Sequence, residues 1–288
     1  MPYSIQHIGN IISAEVSGPH DITIEYLITD SRRTIVPQHS IFFAISGPRR
    51  DGHQFIQEVY DRGVRCFVVK KGVAAPSPEG AVFLLVDDVL TALQKLAAFH
   101  RSKFNIPVIG ITGSNGKTMV KEWLYQLLQQ DYNIVRSPRS YNSQIGVPLS
   151  VWQMSEQHTL GIFEAGISTT GEMQRLADII QPTDGIFTNI LGVHNEGFAN
   201  NREKAMEKTA WWRSLGRLWL PTVSRGQSEH PDCARWRAGG SFSARHRAQR
   251  VGCYCSAIRC AGCHLALYGR CTAPQRTDRA ALHRPTLG

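Results

Sequence analysis

Apolar residues follow two rhythms over the first 208 positions of this chain and lose both afterwards. The β-branched and aromatic runs SIFFAI (Ser40–Ile45), RCFVVK (Arg65–Lys70) and AVFLLV (Ala81–Val86) are bounded by turn residues and read as buried strands. Between the first two, HQFIQEVYDRG puts Phe55, Ile56, Val59 and Tyr60 on one helical face and ends at Gly63. DDVLTALQKLAAFHRSKF then reads as an amphipathic helix, acidic at its start and basic at its end as the helix dipole favours. These segments predict a small α/β domain over residues 1–103.

A second domain is expected over residues 104–208. NIPVIGIT (Asn105–Thr112) is an apolar strand, GSNGKT (Gly113–Thr118) a turn, and MVKEWLYQLLQQ a helix with Val120, Leu124, Leu127 and Leu128 on its core side. LGIFEA (Leu160–Ala165) and GIFTNI (Gly185–Ile190) are further strands, with the helix GEMQRLADII between them. Strands alternating with helices predict a parallel sheet that holds ligands at its strand C-termini.

Residues 209–288 carry neither rhythm. One isoleucine and two valines in that stretch are too few for buried strands, so an irregular or unstructured tail is expected. Charge changes at the same point. Residues 1–208 have a net charge of −1, whereas residues 209–288 carry 13 arginines, no lysine and a net charge of +10. The overall +9 therefore describes the tail and does not make the body a nucleic-acid binder. Six of the seven cysteines also fall in the tail. Such an abrupt shift in composition reads as the product of a displaced reading frame in a GC-rich gene. Two competing readings attach to CYCSAIRCAGCH: CAGCH fits the haem-attachment pattern, and Cys253, Cys255, Cys260, Cys263 and His264 could ligate zinc.

The opening MPYSIQHIGNIISAEVSG lacks the charged and apolar regions of a signal peptide, and no apolar run reaches the roughly 18 residues of a membrane span. With one cysteine, Cys66, before residue 209, a cytoplasmic protein is expected.

The strongest chemical signal is Gly113-Ser114-Asn115-Gly116-Lys117-Thr118, set between strand and helix. Backbone N–H groups and a helix N-terminus there face an anion; Lys117 would neutralise β/γ-phosphates and the Thr118 hydroxyl would ligate Mg²⁺. The strict Walker spacing wants glycine where Ile111 stands, and the nearest glycine is Gly110. The competing reading is an ordinary glycine-rich turn. Glu164 closes the strand LGIFE, so its carboxylate would reach the same edge and could ligate Mg²⁺. His194 would arrive there after GIFTNI.

The TGSNGKT spacing, preceded by TDSRR (Thr29–Arg33) and by FFAISGPRRDGHQFI, resembles the Mur ligase family of ATP-dependent amide-forming ligases in peptidoglycan synthesis. YNSQIGVPLS, FEAGISTTGEM and TNILGVHNEGF look most like the branch that joins D-alanyl-D-alanine to UDP-N-acetylmuramoyl-tripeptide, although Ser143 and Gln144 depart from that branch's usual NNEIGVP. The resemblance implies an N-terminal domain that holds the UDP end of the substrate, with Ser31, Arg32, Asp51, Gly52 and His53 around it. It implies a P-loop-type central domain, incomplete here, that binds ATP through Gly113–Thr118, with Asn142 and Asn189 as further contacts. It makes Glu164 and His194 ligands of a second magnesium ion, and Lys208 a carbamylated, anionic ligand. Lys117, Lys208 and His194 would act in catalysis, through an acyl-phosphate, in a monomer. The family's amine-binding C-terminal domain has no counterpart in residues 209–288, so the chain is expected to be an inactive fragment. Two other readings remain: a UDP-sugar and ATP-binding module without catalysis, and a regulator whose basic, Cys-rich tail binds zinc or nucleic acid.

Overall fold

The computed structural model describes residues 1–18, 21–33, 36–48, 50–188, 198, 207–208, 217–221, 257–260 and 263–268. The chain opens with β1 (Tyr3–Ser4) and α1 (Ile5–Ile12). The Ser4 side chain caps α1 by accepting from His7 N–H at 3.2 Å, and Ile5, Ile8 and Ile12 form its buried face. There follow β2 (Glu15–Ser17), β3 (Thr23–Ile24, antiparallel to β1), β4 (Tyr26–Ile28) and β5 (Ser40–Phe43). The hairpin β6 (Ser46–Gly47) and β7 (Arg50–Asp51) leads to α2 (Ile56–Asp61), then β8 (Cys66–Lys70), β9 (Val82–Val86) and α3 (Val89–Arg101).

The sheet runs β2-β9-β8-β5-β4, parallel except for the edge strand β2. Its central strands are apolar on both sides because both sides are covered. Ile41, Phe43, Cys66 and Val68 face α1 and α3, while Phe42, Phe67 and Val69 pack with Ile56 and Val59 of α2. Asp88 caps α3 by accepting from Thr91 N–H at 2.7 Å.

The second sheet contains β10 (Val108–Thr112), β11 (Ile134–Arg136), β12 (Leu160–Glu164), β13 (Asp184–Phe187) and β14 (Arg217–Pro221). Within the compact unit Met1–Pro221 their order is β11-β12-β10-β13-β14, parallel throughout. On one face α4 (Lys117–Leu128) packs Leu124 on Ile111, Leu160, Ile162 and Ile186. On the other, α5 (Gly146–Val151) and α6 (Glu172–Ile180) pack Val147, Val151, Met173 and Leu176 on Val108 and Phe163.

Helix α3 serves both sheets. Its Leu93 and Leu96 belong to the first core and its Ala97 to the second. Buried Arg101 donates to the carbonyls of Ile180 at 2.9 Å, Phe104 at 2.6 Å and Gln181 at 3.0 Å. The unusual Gln144 serves the same seam, because its carbonyl and its Oε1 accept from Gln94 Nε2 at 3.2 and 3.0 Å.

The α/β class agrees with the sequence reading, and three details correct it. A strand does follow Lys208: β14 pairs with β13, Asp184 opposite Arg217. The separate unit Thr222–Gly288 holds an antiparallel hairpin of β15 (Ala257–Cys260) and β16 (Cys263–Tyr268). On α4 the buried arc is rotated: Leu127, expected inside, is 42% exposed, whereas Lys121 is fully buried.

Candidate nucleotide and metal site

Strands β10 and β12 are neighbours, yet their connections leave in opposite directions. The one from β10 runs through α4 to β11, and the one from β12 runs through α6 to β13. Neighbouring strands whose connections take opposite faces of the sheet leave a crevice beyond the strand C-termini, the common ligand position in open α/β sheets. Gly113-Ser114-Asn115-Gly116 forms the floor of this crevice. Gly113 has φ 142° and Gly116, which starts α4, has φ 81°, both costly for a residue with Cβ. Lys117 Nζ donates to the carbonyls of Gly113 at 2.9 Å and Ser114 at 3.3 Å, folding the ammonium over the turn. On the β13 side, the Thr188 hydroxyl donates to the Asn115 carbonyl at 2.6 Å.

Thr118 is the second residue of α4, and its hydroxyl donates to Glu164 Oε2 at 3.1 Å. Asn142 Nδ2 donates to the same oxygen at 3.4 Å, and Ser140 Oγ lies 3.1 Å from Thr118 Oγ1. Glu164 is fully buried, and its Oε1 accepts no hydrogen bond. Lys121 Nζ lies 3.0 Å from that Oε1, close enough for an ion pair but not aligned as a hydrogen bond; both side chains are 0% exposed. The Lys121 charge compensates Oε1, which leaves Oε2 as the carboxylate oxygen turned to the glycine turn, where a hard cation takes oxygen ligands. Two oxygens on adjacent vertices of a magnesium octahedron stand about 2.9 Å apart, near the Thr118–Glu164 spacing. These oxygens therefore fit Mg²⁺.

Reading the sequence missed Lys121 altogether. Its ammonium donates to the Ser137 carbonyl at 2.8 Å and also to the Arg139 carbonyl. Arg139 holds φ 50°, a left-handed conformation uncommon outside glycine, which turns its carbonyl toward Lys121. Two residues on, the Tyr141 hydroxyl accepts from Arg33 Nη1, so the loop beside Glu164 also contacts the TDSRR turn of the first domain.

The residues expected around the uridine diphosphate form two internally bonded units. In the first, Arg32 binds Asp30 through Nε at 2.9 Å and Nη2 at 2.8 Å, holding the Asp30 carboxyl down at about 2, while Ser31 between them is buried. In the second, Asp51 Oδ1 accepts from the Ser46 hydroxyl at 2.7 Å and the His53 N–H at 3.1 Å, and it lies 2.7 Å from His53 Nδ1. The Ser46 and His53 bonds hold the Asp51 carboxyl at about 2. Lys70 N–H donates to His53 Nε2 at 3.1 Å, which assigns the ring proton to Nδ1 and spends both nitrogens inside the fold. Gly52 has no space for a side chain: a Cβ there would lie 2.6 Å from the Ala44 carbonyl carbon.

Lys208 is 3% exposed, which excludes a solvated helix lysine, and the neighbouring Glu207 carboxylate accepts from Met173 N–H at 3.0 Å. Asn189 and His194 lie outside the described residues. Among the described residues no helix is long and apolar enough to cross a membrane.

Comparison with known proteins follows the same residues. The Mur ligase middle domain matches residues 111–212. The UDP-N-acetylmuramoyl-tripeptide–D-alanyl-D-alanine ligase of Bacillus subtilis is 32% identical over 207 residues, 71% of this chain and 45% of that protein. Its counterpart in Borreliella burgdorferi is 38% identical over 176 residues, 59% of this chain and 38% of its own length. Among solved structures, a UDP-N-acetylmuramoylalanyl-D-glutamyl-2,6-diaminopimelate–D-alanyl-D-alanyl ligase from Acinetobacter baumannii superposes with a TM-score of 0.66 at 26% identity, covering 75% of this chain and 47% of that one. The chain thus spans half or less of the length of each of these relatives. With the glycine turn and the strands β11, β12 and β13 inside the matched region, the chain belongs to the Mur ligase family and is most like the MurF members.

Proposed function

We propose that this chain carries the nucleotide-handling part of an ATP-dependent ligase that joins D-alanyl-D-alanine to UDP-N-acetylmuramoyl-tripeptide in the cytoplasm. The observation that carries the reading is the convergence of the Thr118 hydroxyl and Glu164 Oε2, 3.1 Å apart, next to Lys117 and the glycine turn. In this reading the turn N–H groups and Lys117 hold the β- and γ-phosphates of ATP. Thr118 and Glu164 would hold Mg²⁺, and Glu164, His194 and a carbamylated Lys208 would hold a second magnesium ion, the metals offsetting charge on the transferred phosphoryl group. Residues 1–103 hold the UDP end through the turn at Ser31 and Arg32, and Asp51-Gly52-His53 acts as rigid scaffold behind the pocket rather than as a contact.

The substrate carboxylate attacks the γ-phosphate, ADP leaves, and the amine of D-alanyl-D-alanine displaces phosphate from the acyl-phosphate. Lys117 follows the charge on the phosphoryl oxygens through the first step. Positioning the amine contributes roughly 7–11 kcal/mol of barrier lowering in reactions of this kind. The family resemblance assigns that task to a C-terminal domain, and the match accounts for half or less of the relatives' length.

Calorimetric titration of the full chain separates the parts. ATP with Mg²⁺ and UDP-N-acetylmuramoyl-tripeptide should each bind, while phosphate release with D-alanyl-D-alanine present should stay far below a normal enzyme rate. Absence of ATP binding would overturn the reading.

A further inference from the structure

We propose that Lys121 is a positioning residue for the metal oxygens: its buried ammonium fixes the Glu164 carboxylate and the 137–142 loop so that Glu164 Oε2 stands beside the Thr118 hydroxyl. The inference rests on the nucleotide-and-magnesium reading above and adds a residue to it.

Besides the neighbouring Glu122 carboxylate at 3.3 Å, three contacts from β12 and the loop converge on one Nζ atom. It lies 3.0 Å from Glu164 Oε1, donates to the Ser137 carbonyl at 2.8 Å and donates to the Arg139 carbonyl. Ser137 in turn accepts from Glu164 N–H through its hydroxyl at 3.1 Å, so strand β12 and the loop are tied together on both sides of the carboxylate. The loop then supplies Ser140 to Thr118 and Asn142 to Glu164 Oε2. The two carboxylate oxygens consequently have separate tasks. Oε1 faces the lysine and Oε2 faces the phosphate turn.

Burial gives this division its force. An ammonium placed at 0% exposure is expensive unless it is paired, and a surface lysine would stabilise helix α4 as well without that cost. The left-handed Arg139 adds a second cost in the same place, of a kind that persists where surrounding structure fixes the backbone for a function. Removing the charge at residue 121 would leave Glu164 free to turn or to recruit a different partner.

Outer partners of metal ligands typically change metal affinity about 10–100-fold when mutated. The test is Mg²⁺ affinity of the full chain at saturating ADP, compared with ADP affinity in EDTA. Lys121→Gln keeps a donor for the Ser137 carbonyl and removes the ammonium. It should weaken Mg²⁺ about tenfold or more, with the loss concentrated in the metal-dependent part of binding. Unchanged Mg²⁺ affinity, or equal losses with and without metal, would overturn the proposal. Should Lys121→Gln fail to fold, the neutral pair Lys121→Gln/Glu164→Gln removes both buried charges. It should bind Mg²⁺ at most a few-fold more weakly than Glu164→Gln alone, because only the lysine's loop contacts remain to be lost; a further loss of about tenfold or more would contradict the proposal. If the unmutated chain binds ADP no better with Mg²⁺ than without, the functional reading fails and takes this proposal with it. If it does bind better and Lys121→Gln matches it, the proposal alone fails.

Discussion

Two acid–base pairs in this molecule differ in what surrounds them. Asp51 and His53 close on themselves: Ser46, the His53 N–H and the Lys70 N–H use the carboxylate and both ring nitrogens. Glu164 and Lys121 are more deeply buried and less complete, with Glu164 Oε1 lacking a hydrogen-bond donor and Oε2 turned toward the phosphate turn. A polar cluster satisfied by its own fold fits the scaffold role proposed for it. One whose second carboxylate oxygen meets the Thr118 hydroxyl at the glycine turn has the oxygens that the proposed cation requires. The first type should respond to mutation in stability, the second in ligand affinity.

The largest effect is expected at Lys117. Charge-assisted hydrogen bonds contribute about 1.5–3 kcal/mol each, so Lys117→Ala should weaken ATP roughly 100-fold or more with little change in melting temperature. Unchanged ATP affinity in that variant would remove the phosphate turn from the account.

Gly52→Ala tests the scaffold side. Its Cβ would meet backbone atoms of Ala44 and Ile45 at 2.6–2.8 Å, and overpacking of this kind costs about 1–3 kcal/mol. A Tm several degrees lower is expected, with ATP affinity below the new Tm at the unmutated value. A variant that kept its Tm and lost ATP would reverse the assignment of the two centres.

Acid titration sharpens the contrast further. Burial pushes His100 down to about 4, so its native form stays neutral while the unfolded form takes up a proton. Stability is fully present above about 6.5 and declines as pH falls from there toward 4, by roughly 3 kcal/mol in all. Asp51, depressed to about 2, contributes stability that is present above about 4 and lost as pH falls from there toward 2. Its side chain is 39% exposed, so water screens the pair and the loss should be under about 1 kcal/mol. Urea denaturation across pH 2–7 should show the larger slope first, and Asp51→Asn should flatten only the acid end.

Much of this was legible in the chain. A strand, a glycine turn and GKT in order located the crevice proposed to hold the nucleotide, and Glu164 at the end of LGIFE placed an acid at the same edge. Helix α1 was equally legible and went unread, since Ser4 followed by Ile5, Ile8 and Ile12 is a cap and an apolar face. Lys121 was not, because a lysine in KTMVKEW looks solvated; its i, i+3 spacing to Leu124 hinted at the buried face. What made that lysine invisible is tertiary: the carbonyls of Ser137 and Arg139 and the carboxylate of Glu164 come from 16, 18 and 43 residues farther along the chain. Strand β14 was missed for a related reason, as RLWLP becomes a strand through its pairing with β13 and shows no period of its own.

The central claim is that one cation is held between α4 and β12. Mn²⁺ scatters anomalously and takes the same oxygen ligands as Mg²⁺, so crystals of the full chain grown with ADP and Mn²⁺ would locate it directly. The account predicts an anomalous peak within about 2.5 Å of both Thr118 Oγ1 and Glu164 Oε2. A nucleotide bound with its metal elsewhere, touching neither oxygen, would contradict it.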